Sequence, residues 1–228
     1  MKMRFAIALL LGQLGIPGIC IAQADDAMLF VPIPQGWDVG YQDRTSIGIV
    51  PRDETIEDWS NAMAIFVVDR QTADTATVFF IQTMQNKNST CRGLSSDVLG
   101  SKFELEPGFD VPDPAAPTTL FVVKCPWSNA RFIPQPNPEP YGEVGAYFVI
   151  TGAEQLFVVL RAWRVPPFEA QAPQISPDEL LASLERISDA VLCDVGTDTE
   201  CTAAANDALA TYTAAGDWIF QVSGKIKP

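Results

Sequence analysis

The chain has 228 residues, no histidine, and 28 acidic against 15 basic residues, which gives a formal net charge of −13. A nucleic-acid-binding protein needs a basic surface to displace counterions, so this charge excludes that class and disfavours an anionic membrane surface as a partner. The absence of histidine excludes Ser-His-Asp and Cys-His nucleophiles, histidine metal ligands and an imidazole base.

The first predicted element is a secretory signal peptide over residues 1–24. A short basic start precedes an apolar run and the small-x-small sequence AQA, and we expect cleavage after Ala24 and a periplasmic or secreted product. The alternative is a lipoprotein signal ending at Cys20, which is disfavoured because Ile19 stands where lipidation signals have a small residue. No later segment is long and apolar enough to span a bilayer, so we expect a soluble product.

The first half of the mature chain combines predicted strands with one helix. Residues 28–34, 46–50 and 63–69 are short apolar runs bounded by turn residues, which predicts three strands. Residues 73–87 show helical spacing, and we expect a helix there. The residues on its apolar face are Thr77, Phe80, Ile81 and Met84.

An acidic segment around Trp59 separates the second and third of these strands. Its acids are Asp53, Glu54, Glu57 and Asp58. Thr55 followed three residues later by an acid predicts an N-cap, with the carboxylates at the positive end of a short helix. The alternative is a carboxylate or cation site, but a calcium loop needs oxygens at alternate positions and a glycine turn. We therefore favour the capped helix.

The second half of the chain contains further predicted strands. Residues 101–106 and 118–125 predict two of them. Residues 143–151 and 155–164 flank a tight TGAE turn, which predicts an antiparallel hairpin.

The best-defined helix is expected over residues 176–192. Ser176 is a typical N-cap, a proline follows it, and Glu179 completes a capping box. Its apolar stripe consists of Leu180, Leu184, Ile187 and Val191. A weaker helix is expected within residues 196–216, and a last strand over residues 218–222.

Together these elements predict an α+β fold. We expect a mainly antiparallel sheet of about six or seven strands flanked by helices, as an α/β/α sandwich. Residues 25–193 would form this domain, and residues 194–228 a C-terminal helical extension packed on it.

Four cysteines remain after cleavage, namely Cys91, Cys125, Cys193 and Cys201. An even number in an exported chain predicts two disulfides, and four cysteines allow three pairings. Proximity in sequence favours Cys91–Cys125 and Cys193–Cys201. A metal site is disfavoured, because the chain has neither paired C-x-x-C spacing nor histidine.

The proline-rich segment 125–143 is the best candidate for a contact surface. Tryptophan, tyrosine and arginine anchor many protein interfaces, and ordered prolines reduce the entropy lost on binding. The candidate partner-binding residues are Trp127, Arg131, Phe132 and Tyr141. The alternative is that Trp127 and Phe132 plug the end of the sheet as core. Further along, Arg161 and Trp163 share one face of a strand, which predicts a cation–π stack.

Two other acidic pairs raise the possibility of chemistry. Asp110 and Asp113 would suit carboxylate-dependent hydrolysis only at a defined separation across a cleft. Asp198 and Glu200 lie in a glycine-containing segment that could hold a small cation, but too few oxygen ligands accompany them, so we favour a solvated turn that leads into a helix. No catalytic or metal-binding residue is assigned.

The sequence PQGWDVGY…IGIVPRDETIEDWSNAMAIFV resembles exported bacterial proteins of the Mog1/PsbP-like fold. The matching positions are Pro34, Gly36, Trp37, Pro51, Glu54, Thr55 and Trp59. The resemblance implies an α/β/α sandwich over residues 30–192 and a non-catalytic accessory or binding module. It transfers no catalytic residue to this chain.

We therefore expect an exported, disulfide-stabilised protein that binds an unknown partner protein, as an accessory, inhibitor or immunity-type protein, without a cofactor and without catalysis. The alternatives are a carboxylate-dependent hydrolase or cation-binding protein, which would use the acids above, and a structural component of the cell envelope.

Overall fold

The described residues of the computed structural model are 27–43, 45–99, 102–105, 109–112, 117–128, 139–152, 154–169, 175–193 and 198–223, with the backbone alone for 102–105, 109–112, 198–202 and 223. The predicted signal peptide and its cleavage site lie outside these residues. Nothing in the structure therefore tests the expectation of cleavage after Ala24.

The described part of the chain contains strands and helices in the order that the sequence predicts, with several additions. The strands are β1 (Met28–Ile33), β2 (Trp37–Gln42), β3 (Ser46–Pro51), β4 (Asn61–Asp69), β5 (Cys91–Arg92), β6 (Ser95–Leu99), β7 (Lys102–Leu105), β8 (Phe109–Pro112), β9 (Thr118–Ser128), β10 (Tyr141–Thr151), β11 (Gln155–Val165), β12 (Val191–Cys193) and β13 (Trp218–Ser223). The helices are α1 (Ala76–Asn88), α2 (Pro177–Ser188), α3 (Asp198–Ala208) and α4 (Ala210–Ala214).

The largest unit is an eight-stranded antiparallel sheet. Its order is β2-β3-β4-β11-β10-β9-β5, and β6 also pairs with β9. The predicted hairpin is confirmed as β10–β11, whose pairing runs from Thr151 opposite Leu156 to Gly142 opposite Val165. A second sheet has the order β12-β1-β13, and β7 pairs with β8. The α+β class with a mainly antiparallel sheet is confirmed.

Both faces of the large sheet are covered, because its central strands are apolar on both sides. On one face, α1 packs through Phe80 onto Phe121, Tyr147 and Val158. On the other face lie the small sheet and α2, whose Ile187 is fully buried. The outer side of the small sheet packs on the C-terminal helices, with Phe30, Ala205 and Leu209 in its core.

The short helix expected after Thr55 does not form. The Oγ1 of Thr55 accepts a hydrogen bond from the amide of Asp58 at 3.2 Å, as a cap would, but the turn does not continue into a helix. The carboxylate of Glu54 instead accepts the amides of Ser60 and Asn61 at 2.8 and 3.2 Å. These bonds close residues 52–60 into a compact loop that leads directly into β4.

The best-defined helix was correctly predicted at its start and wrongly at its end. Ser176 Oγ accepts the amide of Glu179 at 3.1 Å, which confirms the cap. The Glu179 side chain does not complete the predicted capping box with the amide of Ser176. Its Oε1 instead accepts the indole N–H of Trp163 at 2.9 Å. The helix ends at Ser188, and Val191 belongs to β12, where it pairs with β1.

The disulfide Cys91–Cys125 is confirmed, with a Cα–Cα distance of 5.6 Å. It joins β5 to β9 next to their pairing at Cys91 and Ser128. Cys193 is disulfide-bonded as well. The side chain of Cys201 lies outside those described, so its pairing with Cys193 stays a prediction.

Candidate partner-binding site

One end of the large sheet collects stacked arginine and tryptophan side chains. Antiparallel pairing brings the starts of β2, β4 and β10 to the same end as the finishes of β3, β9 and β11. Four of the five tryptophans of the chain stack with an arginine at this end. We call it the arginine–tryptophan end, comprising Trp37, Trp59, Arg92, Trp127, Arg161, Trp163 and Arg164.

Arg161 is the buried member of this group. Its guanidinium carbon lies 4.1 Å from the centre of the Trp37 ring and 5.3 Å from that of Trp163, which confirms the predicted stack. Its Nη2 donates to Asn61 Oδ1 at 3.1 Å. Burial lowers the pKa of Arg161 to about 10, although the charge of Glu179 opposes the shift. With 9% of its surface exposed, Arg161 has a structural role at the base of this end.

Arg164 lies on the α1 face of the sheet and makes cation–π contacts with two aromatic rings. Its guanidinium carbon is 3.9 Å from the centre of Trp59 and 5.0 Å from that of Tyr141. Its Nη1 donates to the carbonyl of Glu57 at 3.3 Å, and its backbone amide donates to the carbonyl of Ser60 at 2.8 Å. Its Nε is buried and has no hydrogen-bond partner among the described residues. Arg164 therefore retains an unused donor.

A cavity of about 340 Å³, within the range of ligand-binding sites, lies beside Arg164. Its floor is the small and apolar side chains of β4 and β11, namely Ala62, Ala64, Phe66, Leu160 and Ala162. The loop 52–60 forms one wall through Ile56 and Trp59. Ile56 packs closely over Gly48, where an added Cβ would lie 2.8 Å from its Cδ1.

A second cavity, of about 380 Å³, continues the first one along β4. The two share Phe66 and Lys87. The wall of the second cavity is one face of α1, formed by Phe79, Thr83, Asn86 and Lys87. Ala62 and Ala64 line the first cavity, Val68 lines the second and Phe66 lines both, so the combined groove is about 20 Å long at roughly 3.3 Å per residue. We call this the α1 groove.

The charged residues that line the α1 groove are Lys87, Glu143 and Arg164. Lys87 Nζ forms an ion pair with Glu143 Oε1, and these side chains are 28% and 12% exposed. Burial disfavours the ammonium form of Lys87, but the Glu143 carboxylate outweighs it and raises the pKa of Lys87. Because Glu143 neutralises one cation, the side chains that line the groove carry one excess positive charge.

Of the four predicted contact residues, the two that the structure describes lie at the arginine–tryptophan end. Trp127 stacks against Arg92 at 4.2 Å, and Tyr141 lies beneath Arg164 and lines the groove. Arg131 and Phe132 lie outside the described residues. The structure thus brings Tyr141 to a groove and Trp127 to the same end, and whether they bind a partner stays a prediction.

Sequence reasoning missed Arg164 and Lys87 as groove residues and treated Trp59 only as a plug. The sequence feature that could have indicated Arg164 as a site residue is its position near the end of a predicted strand, in a chain with few basic residues. That signal becomes specific only when the register of β4 against β11 is known.

The acids singled out in the sequence do not converge. Asp53, Glu57 and Asp58 are exposed, and no group of three His, Cys, Asp or Glu residues in the described part of the chain could hold a metal ion. Asp198 and Glu200 belong to α3, which confirms the helix expected within residues 196–216 and places both acids in the helix and not in the turn expected before it. The side chain of Asp110 and all of Asp113 lie outside the described residues.

Among the described residues, no helix combines the length and the apolar character that crossing a membrane requires. No protein-family model matches the chain, and no curated protein does.

Solved structures similar to this chain include the Ran-binding protein Mog1p of Saccharomyces cerevisiae, 13% identical, covering 76% of this chain and 92% of Mog1p with a TM-score of 0.44. LpqN of Mycobacterium tuberculosis, which is involved in cell envelope biogenesis, is 11% identical. The match covers 75% of this chain and 87% of LpqN, with a TM-score of 0.40. Human STARD10 is 11% identical. The match covers 79% of this chain and 75% of STARD10, with a TM-score of 0.31. Mog1p and LpqN are structural neighbours of this chain, and all three TM-scores lie below 0.5.

Proposed function

We propose that this protein is an exported, disulfide-stabilised binding protein that catalyses nothing and engages a partner protein through the arginine–tryptophan end and the adjoining α1 groove. The observation that carries the proposal is the set of arginine–tryptophan stacks beside an open apolar groove, above all Arg164 between Trp59 and Tyr141.

The residue types support this use. Tryptophan, tyrosine and arginine are enriched among the few residues that provide most of the binding energy in protein interfaces. A guanidinium held against aromatic rings is already ordered, so less conformational entropy is lost when a partner binds. Export agrees with the disulfide Cys91–Cys125, because disulfides persist in oxidising compartments.

The test is quantitative capture from an envelope extract of the native host with the immobilised mature chain. We expect a stoichiometric partner protein that is retained by the wild type and by Leu181→Gln, an exposed position on α2. Retention should fall at least tenfold with Trp59→Ala or with Arg92→Gln, since loss of an interface anchor costs about 2 kcal/mol or more. Equal retention by all variants, or turnover of a substrate by the purified chain, would contradict the proposal.

A further inference from the structure

We propose that the α1 groove receives the C-terminal end of the partner, with its terminal carboxylate at Arg164 and an apolar last side chain on the alanine floor. This inference rests on the proposed function and names the chemistry of the segment that the groove would recognise.

The unused donor of Arg164 indicates an anionic group. Its Nε is buried without a hydrogen-bond partner in the described part of the chain, while its Nη1 is engaged by the carbonyl of Glu57. A buried polar group without a partner is costly, and a carboxylate would satisfy it with a charge-assisted bond. The lining residues Lys87, Arg164 and Glu143 together leave one excess positive charge, which is complementary to a carboxylate.

The floor next to Arg164 indicates an apolar group directly beside that anion. Ala62, Ala64 and Ala162 lie on the same face as Arg164 and form a shallow apolar surface. In a C-terminal residue, the carboxylate and the side chain branch from the same Cα, so that one residue supplies both. An aspartate or glutamate uses its own side chain for the carboxylate, so a different residue would have to supply the apolar side chain.

The length of the groove indicates a chain in preference to a small molecule. The two cavities share Phe66 and Lys87 and extend along β4 as far as Val68, a length of about 20 Å, which an extended segment of about six residues spans. Asn86 and Thr83 on the α1 wall place polar side chains along this path. The residues that precede the terminal one would therefore lie against α1.

The test uses an array of heptapeptides with free C-termini and a matched set with C-terminal amides, probed with the complete mature chain under oxidising conditions. We expect retention of free-acid peptides that end in Leu, Ile, Val, Met or Phe. Amidation should weaken binding by at least about 30-fold, because the charge-assisted contact to a buried donor is lost.

One variant assigns the effect to Arg164, a second tests the alanine floor, and a third is the control. Arg164→Gln should weaken binding of the free acid to the level of the amide, and amidation should then have no further effect. Ala64→Leu should weaken binding of both the free-acid and the amidated peptides, because the larger side chain would fill the space above the alanine floor. Arg52→Gln is the matched control, since Arg52 is an exposed arginine at the same end that pairs with Asp38 and lies outside the groove. Thermal unfolding of each variant separates loss of binding from loss of folding.

Equal binding of acids and amides, an Arg164→Gln variant that still distinguishes them, or no retained peptide would overturn the inference. Binding of octanoate in the absence of any peptide binding would also overturn it, in favour of a small carboxylate. If a protein partner is captured in the native host while amidation has no effect, the proposed function stands and this inference fails.

Discussion

Arg161 and Arg164 lie three residues apart on one strand and show how side-chain alternation separates two roles. Arg161 points into the face covered by the small sheet and α2, where Trp37 and Trp163 enclose it. Arg164 points to the α1 face, where Trp59 and Tyr141 leave it open to a groove. An odd separation along a strand places side chains on opposite faces, so the same residue type lies in the core in one case and lines a groove in the other.

Asp43 allows a prediction about acid stability. Its carboxylate accepts the Tyr41 hydroxyl at 2.6 Å and the amides of Thr45 and Ser46, each at 2.7 Å, which holds the pKa of Asp43 well below its usual range. A lowered folded pKa gives stability that is present above the unfolded pKa of about 3.9 and is lost as the pH falls through the folded pKa.

Asp43→Asn should therefore be less stable than the wild type at pH 7, and the difference should shrink as the pH falls below about 4. Urea unfolding at pH 7 and pH 3 measures both differences. Asp53→Asn, at an exposed position in the loop 52–60, is the control and should change neither curve. A difference for Asp43→Asn that is constant with pH would contradict this account.

Gly142 allows a prediction about packing. A Cβ at this position would lie 2.4 Å from the Phe168 ring and 2.9 Å from the carbonyl oxygen of Pro166. Gly142→Ala should lower the free energy of unfolding by about 1–3 kcal/mol, the usual cost of overpacking. In a Phe168→Ala background, the added methyl group should cost less, and denaturant unfolding of the wild type, the two single variants and the double variant provides that comparison. An equal cost in both backgrounds would show that Phe168 is not the obstacle.

At the scale of elements, α2 depends on its first turn. Ser176 Oγ accepts the amide of Glu179, one of the donors that a helix start leaves unpaired. Ser176→Ala should therefore destabilise the protein by about 0.5–2 kcal/mol in equilibrium unfolding. Ser188→Ala is the matched control, because that hydroxyl donates at 2.9 Å to the Glu185 carbonyl at the exposed other end of the helix. A larger cost for Ser188→Ala would contradict the importance of the cap.

The disulfide is the second element-scale feature, because it ties the two-residue strand β5 to the long strand β9. Its cysteines are 34 residues apart. Replacing both Cys91 and Cys125 by alanine should lower the free energy of unfolding by about 3–4 kcal/mol, since the unfolded chain regains loop entropy. Guanidinium unfolding of the double variant measures this loss, and an unchanged midpoint would show that the bridge constrains little.

Local patterns in the sequence predict most of the large sheet. The runs that became β4, β9 and β11 are apolar enough to be recognised, and the hairpin β10–β11 is marked by its turn. The strand β2 was missed because it is an edge strand whose side chains are mostly exposed. The expected helix after Thr55 does not form, and the Glu54 carboxylate instead accepts the amides of Ser60 and Asn61 at the start of β4.

At the scale of the whole molecule, the small sheet and the groove depend on contacts that no local pattern contains. Met28 pairs with Cys193 and with Ser223, which are far away along the chain. The α1 groove likewise requires the register of β4 against β11 and the placement of α1. The sequence indicates which residue types could form a contact surface, but only the tertiary structure shows which of these residues lie next to one another.

The most direct test of the central claim, that the α1 groove binds a partner, is site-specific photo-crosslinking in the native host. The crosslinking residue p-benzoylphenylalanine replaces Asn86 on the groove wall or, as the control, Leu181 on α2, both of which are exposed. We predict one discrete crosslinked protein from position 86, none of that size from position 181, and loss of the product when Arg164→Gln is added. The same products from both positions, or none from position 86, would contradict the account.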